Sequence, residues 1–159
     1  TPFSRTRHAR AAGSRTDLIV GYTEGYPYFI QEFGQAVWDL ADGPDITIDD
    51  ARHAVAVVED KLDSSFFRVR LDRTTDLERA YLRAMAELGS DAQAAGDVAA
   101  LLDRTSQQCG PTRARLIEKG LLYTPNFGYA AFTVPKFDAF LKRSVELTVP
   151  PKRVRRGAP

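Results

Sequence analysis

The stretch TSQQCGPTRARLIEKG, residues 105–120, sets the amides Gln107 and Gln108, the hydroxyl of Thr112 and the cations Arg113, Arg115 and Lys119 along one helical segment. Side chains of these types suit a helix laid in a major groove. Gln and Arg read base edges there, while Thr and Lys anchor phosphates. A turn follows closely, with Asn126 and Phe127 at its tip and Lys136 beyond it. Phe127 and Lys136 are placed to approach a minor groove or a neighbouring phosphate. The same layout also serves protein contacts, in which Arg113 lies along the core and Phe127 tucks beneath the turn.

Other chemistries find weaker support. Asp49, Asp50 and His53 gather at a helix start, and an i, i+4 Asp-His pair can bind a metal or exchange protons. No further ligand accompanies them, and acids at a helix N-terminus are explained by the helix dipole. Glu59 and Asp60 point to different helix faces. Cys109 has Arg neighbours but no His or Asp partner, and reads as a small buried thiol. No nucleophile constellation, metal set or cofactor site is expected.

The elements that must position these residues are mostly helical. In residues 26–41, YPYFIQEFGQAVWDLA, helical spacing aligns Tyr26, Phe29, Ile30, Phe33, Val37, Leu40 and Ala41, and Pro27 suits the first turn. DGPD breaks that helix. Thr47 and Asp50 then form a capping pair ahead of Ala51, Ala54, Val55, Val58 and Leu62. Residues 17–22 end an earlier helix. The connection DSSFFRVRLDR offers Phe66 and Phe67 for docking one unit on the next. Thr75 and Glu78 make a second capping pair, before a stripe of Leu77, Ala80, Tyr81, Ala84, Met85 and Leu88 that stops at Gly89.

SDAQAAG reads as a polar loop, and Asp97 opens a short helix ending near Leu102. The next helix starts at Ser106 with Thr105 as its cap, or at Gly110 so that Pro111 falls in the first turn. Pro inside a helix costs about 3 kcal/mol. Two strands, residues 121–124 and 129–134, flank Pro125-Asn126-Phe127-Gly128, where Asn and Gly can take positive φ. Helix, turn, helix and hairpin follow the order of a winged helix-turn-helix.

The formal charge of +1 is unevenly spread. Residues 1–16 hold four Arg and no acid, residues 17–103 hold seven bases and eighteen acids, and residues 104–159 hold eleven bases and three acids. The C-terminal excess favours an anionic partner, although charge runs are also ordinary solvated surface. One Cys excludes an internal disulfide, and no apolar run is long enough for a bilayer. A reduced, cytoplasmic protein with no membrane partner is expected. The acid-free start TPFSRTRHARAAGSR is expected to be a disordered tail, a composition that organellar transit peptides share.

The segment YTEGYPYFIQEFGQAVWDLA resembles the lid helices of a bacterial branch of AAA+ ATPases. RARLIEKGLLYTPNFGYAAFTVPKFDAFLKR resembles the winged helix that ends those proteins, and the layout is similar to that of archaeal origin-initiator ATPases. Together the two likenesses cover most of residues 17–143. The resemblance implies a C-terminal portion of a longer ATPase, with ATP and Mg held by a core outside this chain. No G-x-x-x-x-G-K-[S/T] phosphate loop occurs, so this chain is not expected to hydrolyse ATP. Many such lids carry an Arg that reaches the γ-phosphate; none lies around Gly25 to Phe29, and Arg15 is poorly positioned to replace it. By resemblance alone, Tyr26 and Pro27 lie near the adenine side in the parent protein.

The expected fold is therefore mainly α: a helical lid bundle over residues 17–67, then a winged helix-turn-helix with one hairpin over residues 68–145. Residues 1–16 and 146–159 are expected to be basic flexible tails. The expected function is duplex DNA contact through Gln107, Gln108, Thr112, Arg113, Arg115, Lys119, Asn126, Phe127 and Lys136. Alternatives are a module docking protein partners or other ATPase subunits, and a stand-alone transcription regulator.

Overall fold

The computed structural model describes residues 14–152. Of the tails expected at 1–16 and 146–159, residues 1–13 and 153–159 lie outside the described residues, whereas 15 and 16 already belong to the first helix and 150–152 are bonded to the second unit. The chain is mainly α-helical with a small three-stranded antiparallel sheet, and it divides into two compact units between Leu62 and Asp63.

The first unit contains α1 (Arg15–Thr23), α2 (Pro27–Leu40) and α3 (Ile48–Lys61). Ser14 opens α1 by accepting from the Asp17 backbone N–H at 3.1 Å, and Pro27 starts α2. Thr47 and Asp50 satisfy each other's backbone donors at the head of α3. These bonds serve amides that have no partner in a helix's first turn. Phe29, Phe33 and Val37 of α2 are buried, as are Ala51, Ala54 and Val58 of α3. Ile30 and Leu40 are exposed, contrary to the stripe read from sequence. In this bundle the buried positions of α2 recur at i, i+4 and i+8, and Ile30 and Leu40 fall beside that line. Arg15 donates to the Ile46 carbonyl, a bond within its own unit.

A π-helical turn (Leu62–Phe67) begins at the last residue of the first unit and leads the second into α4 (Arg68–Leu71). It continues through α5 (Asp76–Leu88), β1 (Gln93–Ala94), α6 (Ala95–Leu101), α7 (Ser106–Glu118), β2 (Leu122–Tyr123), β3 (Tyr129–Phe132) and α8 (Phe137–Ser144). From α5 to β3 the order is helix, strand, helix, helix and hairpin. The strands lie β1-β3-β2.

Three local expectations are corrected. Residues 93–94, read as loop, form a strand against Ala130 and Tyr129. Two residues are too few for any alternation to show in sequence. The next helix begins at Ala95 rather than Asp97, which takes its third position. Across the hairpin Leu122 faces Phe132 and Tyr123 faces Ala131. Of the tip residues only Gly128, at φ 80°, adopts the left-handed backbone, and Asn126 does not.

Phe67 stacks on Phe137 and Phe140 of α8, with ring centroids 5.6 and 5.2 Å away. Its ring belongs to the core of its own unit, which also buries Tyr81, Leu82, Met85, Val98, Leu102, Leu116 and Leu122. Beyond α8 the chain runs back as an extended strap. The Val145 carbonyl accepts from Arg83 Nε at 2.9 Å, the Pro150 carbonyl accepts from Arg104 at 3.2 Å, and Lys152 pairs with Asp103 at 3.0 Å.

Candidate nucleic-acid interface

Helix α7 starts at Ser106, which resolves the two sequence alternatives and leaves Pro111 inside it. Thr105 Oγ1 accepts from the Gln108 backbone N–H at 3.2 Å, and Gln108 Oε1 accepts from the Thr105 N–H at 2.9 Å. This reciprocal cap favours the earlier start. Cys109, Thr112 and Leu116 then fall on the buried side. Their packing holds the helix despite the donor that Pro111 lacks.

The predicted contact residues separate accordingly. Gln107 is exposed. Gln108 is exposed too, although its carbonyl oxygen belongs to the cap and only its amide N–H groups remain to face outward. Thr112 is 2 % exposed and cannot reach a ligand; its position three residues from Cys109 and four from Leu116 turns it inward. Arg113 is half-buried beside Tyr81, whose phenol is pushed up by burial while the Arg113 charge acts the other way.

Arg115 and Lys119 converge on Glu78, a residue that is fully buried at the third position of α5. Lys119 Nζ lies 2.6 Å from Oε2 and Arg115 Nε 3.4 Å from Oε1. Glu78 also caps its own helix, accepting from the Thr75 N–H at 2.9 Å. Burial raises its pKa, but the hydrogen bonds from Lys119 and Thr75 and the charges of Lys119 and Arg115 prevail, holding the carboxyl below its usual range. Two cations expected to meet phosphates thus compensate an internal charge. Sequence showed Glu78 only as a capping partner, since nothing local says that α7 returns to it.

On the hairpin, Phe127 is fully exposed at the tip, and Tyr123 and Tyr129 are each nearly half exposed. Asn126 is exposed, and its carbonyl closes the tip by accepting from the Tyr129 N–H at 3.1 Å. Lys136 is half-buried at the head of α8, with a left-handed backbone at φ 64°. The structure therefore leaves Gln107, part of Gln108, Asn126 and Phe127 outward. It turns Thr112 inward, while Arg115 and Lys119 remain solvent-exposed as they reach back to Glu78.

The remaining chemical candidates have local roles. Asp50 gives its carboxylate to the Thr47 backbone and hydroxyl, which lower its pKa in that order. Asp49 pairs with Arg52 at 3.0 Å. The Cys109 thiol is pushed up by burial, against the charges of Arg104 and Arg113. No group of three potential metal ligands occurs among the described residues.

A family model described as a domain of unknown function (DUF8462) matches residues 64–141, a span inside the second unit. No curated protein and no solved structure matches the chain.

Proposed function

We propose that this chain is the lid and winged-helix portion of an AAA+ ATPase, and that its second unit contacts duplex DNA through the N-terminal half of α7 and the hairpin tip. The observation that supports this reading is the exposed head of α7. Gln107 and Gln108 face outward there, and no acid occurs in the helix before Glu118. In a helix-turn-helix that half of the second helix reads base edges, and its dipole end favours phosphate. With Arg115 and Lys119 held by Glu78, contact is weak and draws on few charges. ATP and Mg belong to the parent's nucleotide-binding core, this portion performs no chemistry of its own, and the protein works in the cytoplasm.

A second reading, docking to a protein such as another ATPase subunit, is favoured by one observation. The hairpin exposes Phe127, Tyr123 and Tyr129 without a cation between them. Aromatic side chains of this kind anchor protein interfaces. Fluorescence anisotropy on a labelled duplex separates the two. DNA contact predicts that Gln107→Ala weakens binding about tenfold. Equal affinity of variant and parent chain would favour the protein partner.

A further inference from the structure

The geometry points to a phosphate-binding recess at the C-terminal end of α7, lined by Val69, Arg70, Arg73, Lys119, Gly120 and Leu121, with a volume of 580 Å³. It goes beyond the DNA reading, because it lies at the opposite end of α7 from Gln107 and, apart from Lys119, is lined by residues not expected to touch a duplex.

Each cation is held differently. Arg70 stacks its guanidinium 3.6 Å from the centre of the Phe66 ring, and its Nη1 donates to the Phe66 carbonyl at 2.9 Å. That arrangement fixes the fork and leaves other N–H groups to face a ligand. Lys119 Nζ donates to the Arg73 carbonyl at 2.9 Å and to Glu78 at 2.6 Å, which places one ammonium between α7 and the turn before α5. Its charge is largely matched by Glu78. The Arg73 guanidinium is exposed and makes no hydrogen bond or ion pair among the described residues. No acid lines the recess, so Arg70 and Arg73 supply its uncompensated charge.

Gly120 shapes the rim of the recess. At φ 71° it turns the chain sharply after α7, and the Leu121 N–H bonds back to the Leu116 carbonyl at 3.0 Å. A guanidinium fork fixed at Arg70, with the free guanidinium of Arg73 and the Lys119 ammonium lining the same recess, suits a phosphate group, which takes several charge-assisted hydrogen bonds at once. The phosphate can belong to a small phosphorylated ligand or to a nucleic-acid backbone; the recognising chemistry is the same.

The test is a titration of the whole chain with inorganic phosphate, followed by NMR at the Arg73 and Gly120 amides. Saturable shifts in the millimolar range are expected, Arg73→Ala should weaken them about tenfold, and Arg73→Lys should recover only part of the loss. Because the Arg73 side chain packs on no charged partner, both variants should keep the parent's thermal midpoint. Overturning results are the absence of saturation, the same shifts from potassium chloride at equal ionic strength, or an Arg73→Ala chain that titrates like the parent.

A labelled duplex added to the same samples separates the sources. Competition by phosphate assigns the site to a backbone phosphate, and independence assigns it to a free ligand. Either outcome leaves the recess as a phosphate site, and it stands even if the duplex fails to bind.

Discussion

Glu78 joins two functions in one carboxylate. As a capping residue it satisfies an orphan donor at the head of α5, and as a buried anion it gathers Lys119 and Arg115 from the end of α7. Glu78→Gln retains the cap and removes the charge, and should cost about 2 kcal/mol, the scale of a hydrogen bond to a charged group. Glu78→Ala also removes the cap and should cost about 1 kcal/mol more. Because the folded pKa lies below the ordinary 4.5, the carboxylate's contribution is complete above that value and is lost as pH falls towards the folded pKa. Chemical denaturation across acid pH should therefore show an acid limb in the parent chain that Glu78→Gln flattens. An unchanged limb would assign it to other carboxylates. Cys109, 3 % exposed with its thiol pushed up, should react with alkylating reagents only as fast as the unit opens.

At the scale of elements, α7 is a helix kept by its ends and its buried side against a residue that disfavours it. Pro111→Ala restores a backbone donor and should raise stability by about 1 kcal/mol or more, read as a shift in the urea midpoint at constant slope. A fall would mean that the ring's own packing outweighs the missing bond. Phe67 makes the opposite prediction: truncation to Ala opens the stack with Phe137 and Phe140 and should cost about 3 kcal/mol.

The capping pairs at Thr47 and Thr75, and Thr105 as a cap, were legible in sequence because a cap is a bond between residues three apart. The hairpin was legible for the same local reason. What sequence could not disclose depended on distant partners. β1 is visible only through its pairing with β3. The destination of Phe67 is visible only once α8 is in place. The inward turn of Thr112 and the recruitment of Arg115 and Lys119 follow from how α5 and α7 meet. Of the expected site, Gln107, Gln108, Asn126 and Phe127 are exposed, whereas the proposed recess at Arg70 and Arg73 could not be read from sequence, because FRVRLDR reads as a mere connection.

For the molecule as a whole, the division at Leu62 and Asp63 gives each unit its own buried aromatics, Phe29 and Phe33 in one and Phe67, Tyr81, Phe137 and Phe140 in the other. Residues 63–152 should therefore unfold cooperatively when expressed alone, with a single calorimetric transition. A broad or absent transition would show that the second unit depends on the first. The strap from Val145 to Lys152 is part of that unit through Arg83, Arg104 and Asp103, so a cut before it should lower the midpoint.

The central claim is that α7 offers its N-terminal half to duplex DNA while its C-terminal cations serve Glu78. The salt dependence of duplex affinity tests both halves together, because the slope of log K against log salt is about −0.9 for each phosphate neutralised. The account predicts detectable binding at low salt with a shallow slope of about −2 to −3, contributed by few cations outside the Glu78 cluster. No binding at low salt would remove the DNA contact, and a slope of about −6 or steeper would show Arg115 and Lys119 released from Glu78 to phosphates, against the geometry described.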